Sequence, residues 1–153
     1  MAASKTQICN MALAHCAVSL RVTDIDDLTD ASTEADQCRL FYDHCLDLLL
    51  ENRAWGFATR RVTLQALSLP DEYSDFWSYR YAHPNFCKRI NRIVNPYVRN
   101  ERTKEERVPF ETIDRDDSDG RAILCDLENA VLEYNHLITD ATRYPTTFIQ
   151  ALA

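Results

Sequence analysis

The chain has 153 residues, with 17 Lys and Arg against 24 Asp and Glu, for a formal net charge of −7. Its only glycines are Gly56 and Gly120, which excludes a dinucleotide-binding fingerprint, a P-loop and a nucleophile elbow, since each needs clustered glycines to turn sharply or approach a phosphate. The length predicts one domain over 1–153 with a core that needs no staple, and the acidic balance argues against wrapping nucleic acid, which takes clustered Lys and Arg.

Ser4 predicts the start of a first helix, residues 5–18, with Ile8 and Ala12 on one face and Cys9, Leu13 and Cys16 on its neighbour. The segment 21–32 is polar and carries Asp24, Asp26, Asp27 and Asp30, which predicts a surface loop. It fails the calcium-loop template: counted from Asp24, position six is Thr29 and position twelve is Ala35. Ser32 or Thr33 caps a second helix, 33–52, with Glu34 and Asp36 in its first turn. Cys38, Phe41, Cys45 and Leu48 make one stripe of it, and Tyr42, Leu46 and Leu50 widen that stripe, so the helix is expected to be buried on two sides.

Trp55-Gly56-Phe57-Ala58 predicts a chain reversal pinned into the core. Strands are expected within 58–82 and 92–138, with a short helix at 84–91 between them, opened by Pro84 and carrying Phe86, Cys87 and Ile90 on its apolar side. Gly120 follows a run of acids and is expected at positive φ in a turn. The segments 121–127 and 130–138 predict a hairpin around Glu128-Asn129, and Tyr144-Pro145 opens a last helix, 146–153. Together these elements predict an α+β fold: an N-terminal helical hairpin plus a C-terminal helix, packed with an antiparallel β-sheet of about four to six strands.

Chemistry-bearing residues give little. The six cysteines lack a Cys-x-x-Cys spacing; Cys9/Cys16 and Cys38/Cys45 are seven apart and are expected as small apolar residues on helix faces. Leu13-Ala14-His15-Cys16 echoes a lipoprotein cleavage box, but His15 stands where a small residue is needed. The apolar stretches fall far below the ~20 residues that a membrane span requires. The expectation is a protein of a reducing cytoplasm with no catalytic residue, cofactor or metal assigned. Carboxylates or a Cys/His pair of a small hydrolase, and a host-side interaction module, remain the alternatives.

The succession of segments resembles the head-to-tail adaptors of tailed bacteriophages, in particular the tail tubular protein A type. Asn10-Met11-Ala12-Leu13 is similar to the first-helix motif of that family, and Thr33-Glu34-Ala35 followed by Phe41-Tyr42-Asp43 is similar to its second. Leu48-Leu49-Leu50-Glu51 running into Trp55-Gly56-Phe57-Ala58, then Tyr81-Ala82-His83-Pro84 before Cys87, then Tyr144-Pro145 before Phe148, Ala151 and Leu152, continue the likeness in order. Two departures stand out. Ala17-Val18-Ser19 replaces a usual glycine, and the sequence ends at Ala153 where the family generally continues into a tail that helps docking on the portal.

The resemblance implies a non-enzymatic virion protein at the head-tail interface, assembled in host cytoplasm. It implies a closed ring of about twelve copies under the phage portal protein, extending the DNA channel and holding the tail nozzle or tail fibre proteins. DNA would pass without specific binding, past an acidic wall. Asn10, Leu13, Tyr42, Trp55, Phe57, Pro84, Tyr144 and Pro145 carry the signature. Asp24, Asp26 and Asp27, with Arg99, Arg102 and Lys104, are candidate charges for contact between neighbouring subunits.

Overall fold

A computed structural model describes residues 3–98, 106–115 and 120–153. The chain divides into two units: a helical one that runs to Ala58 and resumes over Leu137–Ala153, and a β unit, Thr59–His136, inserted between. The α+β class stands, with the N-terminal helices and the C-terminal helix in place.

In the helical unit, α1 spans Lys5–His15 and starts in a reciprocal capping box. The Gln7 N–H donates to Ser4 Oγ at 3.2 Å, and the Ser4 N–H donates to Gln7 Oε1 at 3.0 Å. The helix stops short of the expected residue 18 because Ala17 adopts φ 59°. The Val18 N–H then donates to the Leu13 carbonyl at 3.0 Å and the Ala17 N–H to that of Ala14 at 3.1 Å, the paired bonds that usually close a helix on glycine. Helix α2, Thr33–Asn52, has the expected bounds, with Ser32 Oγ accepting from the Ala35 N–H.

The buried line of α2 is Ala35, Tyr42, Leu46 and Leu50. The neighbouring stripe is not buried as expected: Phe41 is 51% exposed and Leu48 52%. A 3₁₀ turn, Ala141–Arg143, leads into α4, Thr146–Leu152. Ile8, Leu46, Leu50 and Phe148 form the centre of this unit's core.

The β unit holds seven strands among the described residues: β1 (Thr59–Thr63), β2 (Ala66–Leu67), β3 (Tyr79–Ala82), β4 (Cys87–Ile93), β5 (Phe110–Asp114), β6 (Arg121–Cys125) and β7 (Val131–His136). One turn of helix, α3 (Asp71–Ser74), joins β2 to β3. The strands make two antiparallel sheets rather than one, in the orders β1-β7-β4 and β2-β3-β6-β5. Their shared core sets Ile93, Leu132 and Tyr134 of the first sheet with Tyr81, Ile123 and Cys125 of the second. Gly120 takes φ 145°, as expected of its turn.

Two expectations fail here for identifiable reasons. The helix expected over 84–91 is strand β4, and the register shifts twice along it, between Cys87 and Arg89 and again between Ile90 and Arg92. Each shift inserts one residue, so Cys87, Ile90 and Ile93 fall opposite His136, Tyr134 and Leu132. Two bulges thus give a strand the three-residue apolar spacing of a helix.

The hairpin expected around Glu128-Asn129 does not form, because β6 and β7 belong to different sheets. The Tyr81 hydroxyl donates to the Leu127 carbonyl at 2.8 Å, Asn129 adopts φ 54°, and the Leu64 N–H reaches the Ala130 carbonyl at 2.9 Å. The connection, longer than a two-residue turn, carries the chain across instead of back.

Candidate functional site

The acidic loop after α1 is built by its own side chains. Asp24, Asp27 and Asp30 each accept the N–H two residues on, from Asp26, Thr29 and Ser32, at 2.9–3.0 Å. The side-chain hydroxyls of Thr29, which donates to Asp27 at 2.7 Å, and of Ser32, and then these backbone bonds, hold the Asp27 and Asp30 carboxyls below the usual carboxylate range. Asn10 grips the loop from α1 by bonding both ways with the Val22 backbone at 2.8 Å. Thr6 accepts from the Ile25 N–H at 3.2 Å.

Arg39 completes the arrangement from α2. Its guanidinium donates to the carbonyls of Ile25 at 3.0 Å, Asp30 at 2.9 Å and Asp27, and pairs with the Asp36 carboxylate at 2.9 Å. Arginine suits this place because its rigid fork presents several donors at once. Sequence reasoning assigned Arg39 no role, although acids at every third residue ahead of a capping serine are the signature of successive side-chain-capped turns.

Trp55 and Phe57 join Tyr144 and Phe148 in one aromatic cluster. Phe148 lies edge-on to Trp55, Phe57 and Tyr144 at centroid distances of 4.8, 4.9 and 4.9 Å. The Trp55 indole donates to the Leu49 carbonyl at 2.6 Å, satisfying one of the acceptors that the end of α2 leaves open. The Tyr144 hydroxyl donates to the Ile138 carbonyl at 2.7 Å, and Pro145 stands at the N-cap of α4. The sequence signature therefore splits. Asn10, Tyr42, Trp55, Phe57, Tyr144 and Pro145 hold the helical unit together, Leu13 lines its surface groove, and Pro84 lies in the β unit between β3 and β4.

That groove, about 220 Å³, runs along α1, α2 and the end of α4, and its lining includes Cys9, Cys16, Cys38 and Cys45 with Phe41. All six cysteines are free, and Cys16 is exposed rather than on a buried face. Burial first, then the neighbouring Cys38, pushes the Cys9 thiol up to about 12. Burial likewise pushes the Cys87 thiol up to about 11. Beside the groove, α2 presents Leu40 at 66% exposure together with Phe41 and Leu48.

Of the candidate contact charges, Asp24 and Asp27 are occupied in turns, and Asp26 lines a cavity with Lys5, Arg39 and Asp43. Arg99, Arg102 and Lys104 lie outside the described residues. Among the described residues, no group of three or more His, Cys, Asp or Glu is placed to hold a metal ion, and no helix is long and apolar enough to cross a membrane. No protein-family model matches the chain, and no curated protein matches it.

Proposed function

We propose that the chain is a structural subunit of a head-to-tail adaptor, assembling into a ring under a phage portal and giving the tail its platform. The resemblance of its segment order names the class. The observation that carries the reading is the exposed apolar face of α2, where Leu40, Phe41 and Leu48 lie beside the apolar groove. Exposed apolar faces of this kind mark contact with another chain, here a second copy. The helical unit also holds ten Asp and Glu against five Lys and Arg, an acidic surface suited to a wall along which DNA slides.

Native mass measurement with imaging, in the presence of purified portal, tests this. The expected result is a ring seated on the portal. Joint Phe41→Asp and Leu48→Asp substitution abolishes the ring while the subunit keeps its circular dichroism. A subunit that stays monomeric and indifferent to portal overturns the proposal.

A further inference from the structure

Four of the six cysteines line the groove along α1 and α2, and two of them meet across it. The Lys5 ammonium stands over the Tyr42 ring at 5.7 Å, which sets residue 5 of α1 against residue 42 of α2. One turn on along α1 is Cys9, and one turn back along α2 is Cys38. The two thiols come together there, within hydrogen-bonding reach of each other. Cys9 is only 4% exposed, and Cys38 packs half-buried against the same core. Ala12 and Ala35 stand next in those two directions, and small side chains let two helices approach closely.

The other two thiols of the groove are out of reach. Cys16 follows Cys9, and Cys45 follows Cys38, by seven residues, about 10 Å along a helix. A disulfide needs its α-carbons within about 7 Å. Because the two helices run antiparallel, Cys16 and Cys45 also lie toward opposite ends of the groove. One pair alone is therefore set for a bond.

Two touching thiols, one in the wall of an open groove and one behind it, suit exchange with a disulfide. We propose that Cys9 and Cys38 are a redox pair that a small disulfide of the glutathione kind closes into a bond between α1 and α2. Cys38, the more accessible thiol, meets the reagent first. Its thiolate attacks one sulfur of the small disulfide, which forms a mixed disulfide and releases one thiolate. The Cys9 thiolate then attacks Cys38 Sγ, which forms the Cys9–Cys38 bond and releases the second. The pair gives up two electrons and two protons, and the small disulfide takes them up as two thiols. The bond closes a loop of about 30 residues, so it restrains the unfolded chain and locks α1 and the acidic loop to α2. None of this depends on the ring reading.

The test incubates the full reduced chain with excess glutathione disulfide, alkylates the remaining thiols and maps the tryptic peptides by mass. Two of the six thiols are expected to escape alkylation in a product that joins residues 6–21 to residues 22–39, with Cys16 alkylated. The urea midpoint should rise by about 1 M on oxidation and return with dithiothreitol. Cys9→Ala and Cys38→Ala each abolish the link and the rise, whereas Cys16→Ser and Cys45→Ser leave both. If Cys9→Ala does not fold, Cys38→Ala is read alone. Glutathione that stays on Cys38 overturns the proposal, because Cys9 is then out of reach. So does a link through Cys16 or Cys45, a linked chain whose midpoint does not rise, or a chain that still alkylates at both Cys9 and Cys38.

Discussion

The two units are specified at different ranges of sequence. In the helical unit, the marks of both ends of α1 and of the start of α2 sit within a few residues of them: Ser4 with Gln7, Ser32 with Ala35, and Ala17 and Val18 with Ala14 and Leu13. In the β unit, the determinants lie far apart. Arg61 and Glu133 meet across 72 residues, and Arg92 meets the same carboxylate across 41. A short window of sequence therefore reports on the first unit and not on the second.

The largest expected effect attacks the place where the helical unit depends on the residues farthest apart in its sequence. Phe148 is fully buried against Trp55, Phe57 and Tyr144, which binds α4 to the far end of α2. Phe148→Ala should cost about 3–5 kcal/mol, read from urea unfolding midpoints. A loss under about 1 kcal/mol would mean that the cluster is not the anchor of this unit and that its local signals suffice.

Arg39 comes next. Arg39→Ala removes the guanidinium donor from the carbonyls of Ile25, Asp27 and Asp30, of which that of Asp27 still accepts the Asp30 N–H at 3.2 Å, and should cost about 2 kcal/mol. Hydrogen exchange should quicken at the Ile25 and Ser32 amides while the β7 amides hold. Arg39→Lys should not restore protection, because one ammonium cannot reach three carbonyls. Unchanged exchange would show that the three aspartate turns hold the loop unaided.

These same residues explain what was legible. The helix starts could be read because a cap is a side-chain bond to a backbone group three residues away, and Asn10, Trp55 and Tyr144 stood out by type. Strand β4 was misread because its two bulges space Cys87, Ile90 and Ile93 by three, and only the partner strand reveals the inserted residues. The split into two sheets was hidden for the same reason: no residue near Glu128 states that β6 and β7 have different partners. The exposure of Phe41 and Leu48 was also out of reach, since periodicity tells which residues share a face and not whether that face is covered.

Glu133 tests the long-range side of the contrast through pH. Burial alone would raise its carboxyl, but the bonds and charges of Arg92 and Arg61 outweigh it and hold the group below its ordinary value of 4.5. Because the folded value is the lower one, this contribution is fully present above the unfolded value and is lost as pH falls through the folded one. Glu133→Gln should therefore lower stability by up to about 1 kcal/mol at neutral pH, discounted for the exposure of Arg61. The gap to the native chain should close in acid. A gap that persists there would assign the loss to packing rather than to charge.

The smallest effect tests the local side, at Ala17. A β-carbon at φ 59° is crowded by about 1–2 kcal/mol, whereas glycine adopts that conformation freely but gives the unfolded chain about 0.5–1 kcal/mol of extra freedom. The difference predicts that Ala17→Gly stabilises by about 0.5 kcal/mol, visible as a small rise in the urea midpoint with unchanged slope. The bonds from Val18 to Leu13 and from Ala17 to Ala14 should survive, since they need the conformation and not the side chain. A destabilising glycine would show that α1 is not ended by these local bonds. The work would then fall to the grip of Asn10 on Val22, twelve residues away, and the helical unit would share the β unit's dependence on distant partners.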